Sequence, residues 1–83
     1  MNIYVGNLNY KLKESDLEGI FEEYGKVSSV KIITDKYSGR SKGFGFVTMD
    51  DDEEAKKAIE SLNGKSIESR DIVVNEARPR QRD

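Results

Sequence analysis

Residues 42–49 read KGFGFVTM, and this stretch decides the fold. Successive side chains of an extended strand point to opposite faces, so Lys42, Phe44, Phe46 and Thr48 share one face and Gly43, Gly45, Val47 and Met49 the other. As a core strand this pattern is poor, because interleaved glycines weaken a strand and offer nothing to pack. It suits an exposed sheet surface instead. Rings on such a surface can stack against unpaired bases, and a neighbouring lysine can meet the phosphates that join them.

Outward from this stretch the chain reads as short alternating elements. Ile3 and Val5 flank Tyr4 in a first strand, and Leu17, Ile20, Phe21 and Tyr24 recur at helical spacing until Gly25 closes the segment. A second strand spans about residues 27–34, with Val30 and Ile32 on one face and Lys31 and Ile33 on the other. A glycine-bearing loop over 35–41 then leads as a hairpin into the 42–49 strand. The acids at 50–54 start a second helix with an apolar stripe of Ala55, Ala58, Ile59 and Leu62, ended by Asn63-Gly64. Ile72 and Val74 mark a fourth strand.

The order β-α-β-β-α-β predicts an α+β, ferredoxin-like split βαβ fold: a four-stranded antiparallel sheet with two helices on one face and the other face open. Ile3, Val5, Leu17, Ile20, Phe21, Val30, Ile32, Val47, Met49, Ala55, Ala58, Ile59, Leu62, Ile72 and Val74 suffice for one sheet-helix core. Tyr4, Phe44 and Phe46 are then free for another task. Gly43 and Gly45 are expected to let the helices approach the sheet closely. Lys13 stands where a helix N-cap acceptor belongs, so a late capping box from Ser15 and Glu18 is expected, with a frayed first helix that also carries Gly19.

Residues 42–49 resemble the RNP1 element of the RNA-recognition motif family: a basic residue, Gly, Phe or Tyr, Gly or Ala, Phe, Val, any residue, Phe or Tyr. Met49 replaces the last aromatic. About forty residues upstream, Ile3-Tyr4-Val5-Gly6-Asn7-Leu8 resembles the companion RNP2 hexapeptide, with Tyr4 at its stacking position. The resemblance covers about residues 2–77. It implies one domain over 1–77 followed by a short basic tail over 78–83, similar to compact single-domain RNA-binding proteins of bacteria and cyanobacteria, with an excised domain of a larger protein as the alternative.

The implied partner is single-stranded RNA, with single-stranded DNA open. Tyr4, Phe44 and Phe46 would stack bases, and Lys42, Lys31 and Arg40 would meet phosphates. Asn75 and Ala77 fall where the end of the fourth strand touches bases, partly through the backbone, and Arg78 and Arg80 would extend the contact into the tail. Asn7 either organises the turn after strand one or reads a base. Tyr37 is either plain loop surface or an extra stacking ring.

Composition bounds the rest. Eighty-three residues make one small domain, which buries only roughly 60% of its unfolded surface. With no cysteine and no histidine, disulfides, thiolate metal sites and the usual nucleophile-base pairs are excluded, and no metal, cofactor or catalytic activity is expected. No apolar run nears the roughly eighteen residues needed to span a bilayer and no signal peptide is evident, so a soluble, monomeric cytoplasmic protein is expected. A bacterial cytoplasm is favoured, with nucleus and organelle open.

A net charge of −2 argues against a polyanionic partner until the charges are placed. Eleven of the sixteen acids fall on the two helical segments, whereas Lys31, Lys36, Arg40, Lys42, Arg78, Arg80 and Arg82 fall on strands two and three, their loop and the tail. An acidic back and a basic front follow. The acidic helices also suit the alternative of a protein-interaction module, but such members of this fold lose the sheet aromatics or carry Arg-x-Phe before the last strand. Here that place reads Ser69-Arg70-Asp71-Ile72.

Overall fold

The alternation of Ile3 and Val5 with Tyr4 produces a strand with one dry and one open face, and the same parity runs through the sheet. In the computed structural model, which describes residues 1–39 and 41–77 except for the side chains of Ser41 and Lys42, the chain order is β1 (Asn2–Gly6), α1 (Glu14–Glu22), β2 (Val27–Thr34), β3 (Ser41–Met49), α2 (Asp52–Leu62), β4 (Ser66–Ile67), β5 (Arg70–Asp71) and β6 (Val73–Glu76). Strands β2-β3-β1-β6 form an antiparallel sheet in that order. This is the predicted ferredoxin-like α+β fold, with β6 as the fourth sheet strand.

Ile3, Val5, Val47, Met49 and Val74 from the sheet and Leu17, Phe21, Ala55, Ala58 and Leu62 from the helices are buried together in one core. Three expected members, Ile20, Val30 and Ile59, only pack against its margin. Leu8, Leu12 and Val27 complete it instead. Leu8 is drawn in because its backbone N–H donates to the Gly43 carbonyl at 2.8 Å, which prolongs the β1–β3 pairing by one rung past the end of β1.

Four local expectations need correction. Helix α1 begins at Glu14, and its box runs from Lys13 rather than Ser15: the Asp16 carboxylate accepts from the Lys13 backbone N–H at 3.1 Å, while the lysine side chain, having no acceptor, makes no cap bond. Gly45 makes room for a strand, not a helix. A Cβ there would strike the Lys31 carbonyl and the Ile32 Cα of β2, beside an irregularity in the β2–β3 register. Gly43 takes φ +88 and faces Leu8 and Tyr10, again away from the helices. Ile72 is buried but lies outside β6, which starts at Val73.

The two-residue strands β4 and β5 were not anticipated. They form a small hairpin whose tip residues, Glu68 and Ser69, both have positive φ, 51° and 70°. Asn9 Nδ2 donates to the Glu68 carbonyl (2.9 Å) and Asn7 Nδ2 to the Asp71 carbonyl (2.8 Å), tying this hairpin to the loop after β1. Helix α2 starts as expected, with Asp51 accepting from the N–H groups of Glu53 and Glu54.

Candidate nucleic-acid interface

Register places the candidate residues in one row across the sheet. Asn75 of β6 stands opposite Tyr4 of β1, Tyr4 opposite Phe46 of β3, and Phe46 opposite Lys31 of β2. All four have the parity of the open face. Phe44 joins from the next step of β3, and the three rings form a triangle with centroid separations of 6.0, 5.8 and 6.3 Å. The Tyr4–Phe46 and Phe44–Phe46 pairs meet edge-on, at 65° and 90°. Edge-to-face pairing holds rings together without covering face with face, so π-surface is left for a further flat partner.

Gly6 explains how Tyr4 lies. A Cβ on Gly6 would fall 2.5 Å from Tyr4 Oη and 2.9 Å from two of its ring carbons, so the ring reclines along its own strand over the glycine. Phe46 is 37% exposed although none of its neighbours in β3 on the other face is, and that exposure marks a ring that the core does not use. Below it, Asn2, Ser29, Lys31, Thr48 and Ala77 border a shallow pocket of about 320 Å³. Thr48 Oγ1 donates to Asn2 Oδ1 at 2.9 Å there, and the Ala77 N–H donates to the Asn2 carbonyl at 2.8 Å.

Of the expected site residues, Tyr4, Phe44, Phe46, Lys31 and Asn75 are brought together and Ala77 lies at their border. Asn7 is turned to structure: it takes φ 55, donates to the Asp71 carbonyl and accepts from Arg70 Nη2 at 3.2 Å. Tyr37 is 93% exposed in the loop after β2. Lys42 falls within β3, but its side chain, together with Arg40, Arg78, Arg80 and Arg82, lies outside the described residues. Sequence reading passed over Tyr10 and Arg70, which border a second pocket beside Tyr4 and Phe44.

The acids on the back are not all available. Glu14 Oε2 accepts from the Ile32 N–H at 3.0 Å and Glu54 Oε1 from the Lys26 N–H at 3.3 Å, so both hold the β2 region to the helices. Among the described residues no group of three or more His, Cys, Asp or Glu is placed to hold a metal ion, and no helix is long and apolar enough to cross a membrane.

An antiparallel four-stranded sheet backed by two helices, with three clustered rings on its open face, defines the ferredoxin-like class of sheet-surface domain. The sequence matches the RNA recognition motif over residues 3–73, and the chain belongs to that family. The RbpA protein of Synechocystis is 49% identical over 98% of this chain and 80% of its own. A crystal structure of RNA Binding Protein PG1 is 50% identical and covers 99% of each chain, with a TM-score of 0.93. The Sxl-lethal protein in its RNA complex is 37% identical over 92% of this chain and 47% of that one, with a TM-score of 0.87.

Proposed function

We propose that the protein is a binding module for single-stranded RNA that stacks bases on Tyr4, Phe44 and Phe46 and meets phosphates with Lys31 and Lys42. Arg40, Arg78 and Arg80 extend the basic contact, and Asn75 and Ala77 meet bases at the edge of the sheet. The observation that carries this reading is the row Asn75–Tyr4–Phe46–Lys31: hydrogen-bond donors and acceptors, two rings and a cation in register on one exposed surface. Membership of the RNA recognition motif family and the RNA complex of the Sxl-lethal protein support the ligand class. The role proposed is binding without turnover, by a monomer in a bacterial cytoplasm, and the cyanobacterial source of relatives such as RbpA supports the bacterial setting.

Stacking is worth roughly 1–3 kcal/mol per base, so two stacked bases supply about 2–6 kcal/mol before phosphate contacts are added. A micromolar complex needs about 8 kcal/mol. Dissociation constants on the order of 1–100 μM for two to five nucleotides follow. Fluorescence anisotropy with short labelled RNA, and with the matching DNA, tests this directly. The Phe44→Ala/Phe46→Ala variant should lose binding at least ten-fold while remaining folded. Unchanged affinity in that variant removes the platform reading, and sub-nanomolar binding of a pentamer by the wild type removes the estimate.

A further inference from the structure

Among the described residues Arg70 makes no ion pair, and the two side chains it engages, Asn7 and Tyr10, are uncharged. It is nevertheless held in place. Its guanidinium carbon sits 5.9 Å from the centroid of the Tyr10 ring, and its Nη2 donates to Asn7 Oδ1 at 3.2 Å. Asn7 is fixed in turn by the bond from its Nδ2 to the Asp71 carbonyl, which also settles that its oxygen is the atom turned to Arg70. One of five guanidinium N–H donors is used in this way, leaving four for a ligand.

The space beside it is a cavity of about 180 Å³ bordered by Arg70, Asn7 and Tyr10 on one side and by Tyr4 and Phe44 of the ring cluster on the other. A surface arginine used only to staple the β4–β5 hairpin to the loop after β1 would not need to open onto the aromatic surface. Three of its bordering side chains are aromatic rings and its charged group is a planar fork of donors, which suits a planar ligand with two adjacent acceptors. Guanine offers such a pair in O6 and N7, the commonest partner of arginine among the bases. A phosphate would also accept from the fork, but it gains nothing from three surrounding rings.

We propose that Arg70, oriented by Asn7 and Tyr10, forms a base-reading subsite at the end of the sheet platform that selects guanine through O6 and N7. This rests on the sheet-surface binding proposed above, because Tyr4 and Phe44 border both surfaces.

The test uses uridine pentamers with guanosine, inosine, 7-deazaguanosine, adenosine or cytidine at the central position, against the wild type, Arg70→Ala and Arg70→Lys. Wild-type affinity should be higher for guanosine and inosine, which both keep O6 and N7, by roughly ten-fold over 7-deazaguanosine, adenosine and all-uridine. Arg70→Ala should abolish that preference while leaving all-uridine binding within about two-fold, and lysine, lacking the fork, should not restore it. An equal loss on all pentamers that lysine rescues makes Arg70 a phosphate contact and overturns base reading. So does an Arg70-dependent preference for another base, or no change in either variant. If the Phe44→Ala/Phe46→Ala variant still binds as wild type, the platform itself has failed; if only the Arg70 variants are silent, the platform stands and this subsite falls.

Discussion

Tyr4 and Phe46 stand directly opposite one another across the β1–β3 ladder, their ring centroids 5.8 Å apart and their planes inclined at 65°. Neighbouring strands in a sheet lie about 4.8 Å apart, so the two rings rise side by side from adjacent strands and brace one another at an edge. Lys31 and Asn75 extend the same row to the two outer strands. The surface is thus preorganised by strand register, and little ordering is required when a flat ligand arrives.

Rings on the two faces should behave differently when truncated. Phe21 is fully buried between the layers, so Phe21→Ala should cost about 3–5 kcal/mol, a large part of the roughly 5–15 kcal/mol that holds a domain together. Phe46→Ala removes two edge contacts worth about 0.5–1.5 kcal/mol each and should cost less, about 1–3 kcal/mol. Urea unfolding of both variants checks the ratio, and comparable losses would place Phe46 in the core.

Gly6 should matter for binding more than for stability. The added Cβ of Gly6→Ala meets the far end of the Tyr4 side chain rather than backbone, so the ring swings aside and the strand survives. The variant is expected to unfold within about 1 kcal/mol of wild type but to lose part of one stacked base, worth roughly 1–3 kcal/mol, seen as weaker RNA binding by anisotropy.

Gly45 and Gly19 should respond in opposite directions to alanine. At Gly45 the Cβ collides with the backbone of β2, which cannot yield without breaking the β2–β3 pairing, and a loss of at least about 1–3 kcal/mol is expected. At Gly19, in mid-helix, nothing lies within 4 Å of the new carbon. Gly19→Ala should therefore stabilise by roughly 0.5–1 kcal/mol through helix propensity and a less flexible unfolded chain. Thermal melts of the two variants, moving down and up respectively, are the check.

The chain order of the elements followed from hydrophobic periodicity and the identity of the open face from residue parity, and Tyr4, Phe44, Phe46 and Lys31 all sit where alternation puts them. What could not be read had no periodic signal. Strands of two residues, β4 and β5, carry no alternation, and their turn is built on Glu68 and Ser69 at positive φ rather than on the Asn-Gly or Gly-Gly that marks such turns. Missing the hairpin meant missing Arg70, whose placement depends on it. The role of Gly45 was misassigned because a glycine in a strand signals close approach without saying what approaches. Leu8 and Leu12 look like loop residues until the extra Leu8–Gly43 rung folds the loop against the core.

Phosphate contact should show as a modest salt dependence. Each neutralised phosphate on a single strand contributes about −0.7 to the slope of log K against log salt, so a few contacts imply a slope near −2 to −3. Lys31→Ala should reduce its magnitude by about 0.7 with little effect on stability, the side chain being exposed. Titrations from low to high potassium chloride measure this, and an unchanged slope would remove Lys31 from the phosphate path.

The most direct measurement is a backbone amide NMR titration with a pool of short randomised single-stranded RNA, run beside the matching DNA pool. Stacking on the open face predicts the largest shifts at Tyr4, Lys31, Phe44, Phe46 and Asn75 and a quiet α1 and α2, and a stronger response to RNA than to DNA would fix RNA as the ligand class. Shifts confined to the helices, or a silent sheet at millimolar RNA, would contradict it.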